Sequence, residues 1–455
     1  MRETIIIDPV TRIEGHLSVK IDVEHGKVKK AESAGTMFRG FELISKGRDP
    51  RDMIHMMQRV CGVCPVPQGI VAALALESAA QIIVPLNAKI IRNLVQACNF
   101  IDSNVLHFYL LTLPDYVPGP QHAPWTPAWN VDMRGGLDLV SSHLPQALTV
   151  RRHAHEMGAL FAGRMPNGNF LVPGGVTSLL SAERIDRFRA MLDMIKHFVH
   201  GTYVPDVRIV ADAYPNYFHI GRGPANFLSF GAFEQPDGKK LFQSGMVKRT
   251  NPSKVVQLQP DKITEAVTHS FYEGTAPQRP ENGQTIAVNP RDKEKAYSWL
   301  KAPRYSGYPM ETGPLARMWI SGSYRNGISV MDRHLARAIE TLRLVEAMEL
   351  WLDLLVPGLP VYEQSYSTPI EACGIGLTEA PRGALGHWLD IANGKVNNYQ
   401  VITPTCWNLS PKDNCGINGP LEQAIVGAEI RDSKQPIEVM RIVHSFDPCL
   451  ACAVH

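Results

Sequence analysis

The chain has 455 residues, 44% of them hydrophobic and 20% charged, with a formal net charge of +2. That length can bury a large core. A balance so near neutrality supplies no concentrated basic face for a phosphate backbone, which excludes nucleic acid as the partner.

The opening segment, MRETIIIDPVTRIEGH, carries charge from residue 2 and has no apolar core, so it does not read as a signal peptide. Leu17, Val19, Ile21 and Val23 alternate with polar residues, and Glu24-His25-Gly26-Lys27 then predicts a hairpin turn into Val28. Residues 1–60 are expected to be rich in β structure. The stretch from Gly69 to Leu86 is apolar but broken by Glu77, Ser78 and Gln81, too polar to span a bilayer, and predicts a buried helix. From Pro85, Ile90, Leu94, Val95 and Cys98 fall at helical spacing, predicting a helix to about Leu113. A loop follows in which Pro114, Pro118, Pro120, Pro124 and Pro127 forbid helix.

Further helices are predicted around Ala182 to Val199 and from Asp332 to Leu355, the latter with Leu335, Ile339, Leu342 and Val345 as its apolar stripe. Between them, roughly 225–312, short β-like runs and Pro/Gly turns suggest an insertion. There is no internal repeat, low-complexity tract or linker. The expected architecture is one large α+β domain over 1–455, mostly α with β excursions.

The placement of the eight cysteines says more than their number, which is too small for a disulfide scaffold in a chain this long. Cys61 and Cys64 form a CxxC near one end; Cys449 and Cys452 form another at the other. Each such turn places two sulfurs within reach of one metal, and two turns supply four thiolates. Structural zinc is the common use, but zinc ribbons bring their pairs from segments ~15–20 residues apart. Closing almost the whole chain into one loop costs more entropy, and an ample core has little need of zinc. A centre joining the two ends is better suited to chemistry. Zinc, copper(I), nickel and iron all suit four soft thiolates, and the residue types alone do not choose.

The neighbouring residues do choose. The first pair sits in RVCGVCP (Arg59 to Pro65), the second in SFDPCLACAVH, which ends at His455. With TRIEGH and MFRGFE before the first pair, and KAPRY, PMETGPLAR, EAPRG and TPTCWNLSP in order between the two, the chain closely resembles the large subunits of nickel–iron hydrogenases from about residue 5 to its last. The resemblance implies that fold, and heterolytic cleavage and formation of H2 at a nickel–iron centre with one CO and two cyanides on iron. It implies Cys61 and Cys449 as terminal nickel ligands and Cys64 and Cys452 as bridges. Cys449 would take the proton first and Glu14 would relay it. Arg382 would hang over the open face of the metals, with Asp115 and Asp447 around it. Thr405 would donate to a cyanide and Pro381 would line the pocket. Glu42, the Val401 carbonyl and His455 would hold magnesium or another hard divalent ion.

Most of the family loses a C-terminal peptide just after that histidine, and this chain stops where a mature one would. Two positions depart from the family pattern. Gln68 stands where most catalytic members have a histidine bonded to a bridging thiolate, a substitution familiar in H2-sensing members. Cys406 stands where threonine is usual.

Cys98, Cys373, Cys406 and Cys415 are singletons without cluster spacing, whereas an iron–sulfur cluster takes roughly four cysteines. Electrons must therefore leave through an obligate small subunit carrying iron–sulfur clusters, which then reaches a membrane or soluble acceptor. A dimer of such heterodimers is expected. The setting would be cytoplasmic or membrane-associated through the partner, with co-export to the periplasm as the other route. A slow H2 sensor is the alternative use. A subunit related to the quinone site of respiratory complex I would lack the paired cysteines, and a zinc-stabilised structural protein would leave RIEGH and EAPRG unexplained.

Overall fold

The computed structural model describes residues 2–119 and 131–454. Pro120, Pro124 and Pro127 of the proline-rich loop, and His455, lie outside the described residues.

Three strands, β1 (Arg2–Ile7), β2 (Leu17–Glu24) and β3 (Lys27–Gly35), pair antiparallel as a meander. The alternation in β2 has its expected cause: Leu17, Val19, Ile21 and Val23 are buried. The turn also forms where predicted. His25 and Gly26 adopt φ 51° and 72°, the left-handed pair that a two-residue hairpin loop requires. The segment from Thr11 to His16 joins β1 to β2, so this sheet anchors the loop that carries Glu14.

Helix α1 (Pro65–Ala80) begins directly after Cys64, with proline at the position where its missing N–H is harmless. It starts and ends earlier than Gly69–Leu86, because Gln81 closes it in a left-handed conformation and Pro85 precedes a new helix. That helix, α2 (Leu86–Leu106), runs on through a widened turn at His107–Thr112 and a tight one at Leu113–Asp115. Helix α3 (Leu144–Ala162) carried no signal strong enough to be singled out in the sequence. Helix α4 (Ala182–Phe198) is capped by Ser181 and α5 (Val330–Asp353) by a capping box of Ser329 and Asp332.

The predicted stripe of α5 needs correction. Val345 is buried as expected, but Leu335, Ile339 and Leu342 only pack partly buried against the core, whereas Arg333, His334, Arg337 and Glu340 are buried. The buried face therefore mixes core residues such as Leu344, Met348 and Trp351 with charged groups that meet polar partners. Arg333 pairs with Glu311 at 2.8 Å, and Glu340 accepts from Arg317 at 2.6 and 2.8 Å. Hydrophobic periodicity cannot reveal such a face.

Residues 225–312 do contain short strands, among them Phe227–Ser229, Gly245–Lys248 and Asn251–Val256 in one sheet. A further three-stranded sheet was not expected: β4 (Ala372–Ala380), β5 (Gly383–Ala392) and β6 (Lys395–Ile402), antiparallel in that order. Glycines let β4 lie directly on α1; a Cβ at Gly374 or Gly376 would meet the Ala75 or Val71 carbonyl at 2.0 or 2.2 Å. Ala380 pairs with Gly383, so Pro381 and Arg382 are the two-residue tip of the β4–β5 hairpin. Helix α6 (Ile437–Ser445) then leads through Asp447 to the second CxxC, whose last turn is α7 (Leu450–Ala453). Among the described residues no helix is long and apolar enough to cross a membrane.

Candidate metal centre

The two ends of the chain meet through backbone. The Glu14 N–H donates to the Pro448 carbonyl (3.4 Å) and the Leu450 N–H to the Glu14 carbonyl (2.7 Å). Gly15, at φ 82°, permits this approach, since a Cβ there would stand 2.7 Å from the Ala451 nitrogen. Arg39 fastens both cysteine loops with one guanidinium. It donates to the carbonyls of Val60 (2.6 Å) and Arg59 (3.0 Å) beside the first pair and of Ala451 (3.0 Å) within the second.

The four sulfurs consequently converge. All lie within 4.8 Å of one another, and all four cysteines are buried. Cys61 is 3.3 Å from Cys449, Cys64 is 3.4 Å from Cys452, and Cys449 is 2.9 Å from Cys452. The Val63 and Cys64 N–H groups donate to the Cys61 sulfur at 3.3 and 3.2 Å. Burial pushes the Cys449 and Cys452 thiols up. Cys61 moves the other way in spite of its burial, because hydrogen bonds from Cys449, Cys452 and Cys64 stabilise its thiolate. Unaided, the cluster thus favours one thiolate among crowded thiols. Soft cations stabilise several thiolates at once, so the donor set fits a thiophilic metal centre.

Polar groups surround it. The Cys449 thiol donates to Glu14 Oε2 at 3.3 Å, and the Ala451 N–H donates to the same oxygen at 3.2 Å. Burial, then the nearby Cys61 charge, raises the Glu14 pKa above its ordinary 4.5. Arg382 donates to Asp447 (3.0 Å) and Ser103 (3.2 Å), while its Nε is buried without a partner. Asp115 sits one layer away. It binds Arg12 and, at 2.6 Å, His444, rather than meeting Arg382 through a hydrogen bond. Thr405 accepts from the Cys449 N–H at 3.1 Å, which leaves its hydroxyl hydrogen to donate elsewhere. The Pro381 carbonyl accepts from Arg317 at 2.7 Å.

Glu42 is fully buried and accepts from Lys301 (2.8 Å), from the Val401 N–H (2.9 Å) and from Thr285. Gln68 is buried, with its Oε1 3.0 Å from His387 Nε2. Reading the sequence assigned no role to Arg39, Lys301, Arg317 or His444. The first three stand inside MFRGFE, KAPRY and PMETGPLAR, so the motifs marked the segments but not the side chains that bind them together.

Taken alone, this fold and site define a protein in which segments near both ends of the chain enclose four cysteines that can hold a metal, with the Glu14 carboxylate bonded to one sulfur. The family described as nickel-dependent hydrogenase matches residues 39–127, 126–327 and 321–455, and a HoxL-like family matches 4–34. The periplasmic [NiFeSe] hydrogenase large subunit of Desulfomicrobium baculatum is 38% identical over 99% of this chain and 94% of its own length. The hydrogenase-2 large chain of Escherichia coli is 32% identical over 100% and 97%. The solved structure of the Ni-Fe-Se hydrogenase from Desulfovibrio vulgaris Hildenborough in the reduced state is similar at 39% identity, covering both chains fully, with a TM-score of 0.95. The chain belongs to the nickel-dependent hydrogenases, as a large, catalytic subunit with a four-cysteine bimetallic site.

Proposed function

We propose that this subunit cleaves and forms H2 heterolytically at a nickel–iron pair bearing CO and two cyanides on iron, with Cys449 and Glu14 moving the proton. The contact between Cys449 Sγ and Glu14 Oε2 is the observation that carries this reading. When bound, the metal pair supplies the Lewis-acidic centre at which dihydrogen becomes acidic enough for a nearby base. Cys61 and Cys449 are suited to terminal ligation, and Cys64 and Cys452 to bridging. Cys449 holds the proton at Sγ, and Glu14 receives it at Oε2. A carboxyl raised by burial binds a proton more readily than an ordinary one, which suits a relay.

Arg382 sits on a hairpin tip, and Asp447 and Ser103 hold two of its nitrogens, leaving its buried Nε free to donate. From there it can polarise a bound diatomic, while Thr405 and Pro381 shape the pocket for cyanide. Asp115 supports this frame through Arg12 and His444.

Glu42 and the Val401 carbonyl, with His455, are proposed to hold magnesium or a similar ion. The Glu42 carboxylate and the Val401 carbonyl offer hard oxygens, and Lys301 already faces two buried carboxylates there, Glu42 at 2.8 Å and Glu265 at 3.8 Å. The four-cysteine cluster is the one group of three or more potential metal ligands found among the described residues. This supports delivery of electrons to an iron–sulfur small subunit, as do the relatives' names as large subunits. That partner would set the cellular location and the acceptor, and the periplasmic relative makes co-export one route.

H2 uptake by the purified complex tests the proposal. Formation of HD from D2 together with rapid reduction of an artificial dye is expected. A nickel-loaded complex that does neither would contradict the reading, and HD formation with very slow dye reduction would favour the sensor use that Gln68 suggests.

A further inference from the structure

A buried hydrogen-bonded chain ends unfinished at Gln68, four residues beyond Cys64. The Tyr399 hydroxyl is 2.8 Å from His387 Nδ1, and His387 Nε2 is 3.0 Å from Gln68 Oε1. All three side chains are fully buried. Gln68 Nε2, which carries two N–H donors, is buried with no hydrogen-bond partner. Leaving such a donor unpaired is costly. Gln68 lies one helical turn along α1 from Cys64, the residue that opens that helix. The amide makes no hydrogen bond to Cys64 here; a thiolate at Cys64, one turn away, would offer it an acceptor.

We propose that His387 and Tyr399 are positioning residues that fix the Gln68 amide with its NH2 toward the Cys64 thiolate and its carbonyl away. The inference rests on the nickel–iron reading above. Its logic is the direction of the protons. The Tyr399 hydroxyl lies 2.8 Å from His387 Nδ1 and can donate to it. The imidazole proton then resides on Nε2 and is donated to Gln68 Oε1, which leaves only N–H groups on the far side of the amide. The opposite tautomer would have His387 Nε2 accept from the amide NH2, turning the Gln68 carbonyl toward a thiolate, where two negative ends would repel. A donor on Cys64 withdraws electron density from the sulfur and so from the iron it bridges. The CO stretch on iron falls as electron density there rises, so it reports this hydrogen bond without reference to turnover.

The test is the infrared spectrum of the loaded complex in four forms: wild type, Gln68→Leu, Tyr399→Phe and the double variant. Gln68→Leu is expected to move the CO band to lower frequency. Tyr399→Phe should either move it part of the way in the same direction or produce a second band as the amide turns over. The double variant should match Gln68→Leu alone, because Tyr399 acts only through the amide. Gln68→Met, similar in length and without a donor, gives the same reading if the leucine variant loads poorly. A band unmoved by loss of the amide would overturn the donor. So would a Tyr399→Phe shift that persists undiminished in the Gln68→Leu background overturn the positioning role. A wild-type complex lacking these bands would instead remove the nickel–iron reading, an outcome distinct from bands that are present and do not move.

Discussion

Glu14 and Cys449 stand near opposite ends of the chain yet share one hydrogen bond, Cys449 Sγ to Glu14 Oε2 at 3.3 Å, on adjoining backbone segments that also form an isolated parallel β-bridge. The relay is thus built into the closure of the fold. Because the Ala451 N–H donates to the same carboxylate oxygen, Glu14 is held at the sulfur rather than merely near it.

Glu14→Gln keeps the shape and removes the exchangeable carboxyl. H2 uptake should fall by about 10²–10⁴-fold, the usual worth of a positioned acid or base. Nickel content and the CO and cyanide bands should stay as in the wild type. Unchanged uptake would show that protons leave by another path.

Arg382→Lys retains charge but loses the planar fork that reaches Asp447 and Ser103 together. Activity should drop by about 10²–10³-fold, as when one preorganised donor is lost from an active site. Dye reduction under H2, compared at equal nickel loading, checks this.

Arg39→Met should leave the fold in place but free the two cysteine loops from one another, since one guanidinium spans the carbonyls of Arg59, Val60 and Ala451. The expected result is faster loss of nickel to a chelator, measured as metal content against time. Retention equal to the wild type would show that the backbone bonds around Glu14 suffice.

The opposite ends of the chain were legible because motifs name them. RVCGVCP, DPCLAC and TRIEGH each carry a residue type that chemistry requires, and the structure brings all three together. The hairpin of β2 and β3 was legible because a left-handed pair and alternating burial leave a local trace. Positions such as Arg39 and Lys301 were not, because a buried cation is explained only by the carbonyls and carboxylates that distant segments bring to it. The same holds for α5, where the burial of Arg333, Arg337 and Glu340 is explained only by partners on distant segments. The β4–β5–β6 sheet was missed although Asn393-Gly394 marks its second turn with φ 53° and 69°, as an Asn-Gly hairpin should. Its first turn, Pro381-Arg382, has no such signal, since EAPRG drew attention for its arginine.

Asp115 couples the frame to pH. Despite burial, Arg12 and His444 hold its carboxyl well below the ordinary 3.8. A depressed carboxyl contributes stability that is present above the ordinary value and lost as pH falls through the folded one. Asp115→Asn should therefore cost about 3–5 kcal/mol near neutrality, as when one partner of a buried pair is removed. The gap to wild type should stay flat above pH ~5 and narrow in stronger acid, a pattern that unfolding series across pH would reveal. A gap independent of pH would show that Asp115 is not ionised in the folded protein.

The central claim is that these four thiolates hold nickel and an iron carrying diatomic ligands. An infrared spectrum of the purified complex, in the window where metal-bound CO and cyanide absorb and protein groups do not, tests it most directly. One CO band and two cyanide bands that shift under H2, in a sample containing nickel, are the predicted result. An empty window from a folded sample whose four cysteines bind zinc would contradict it.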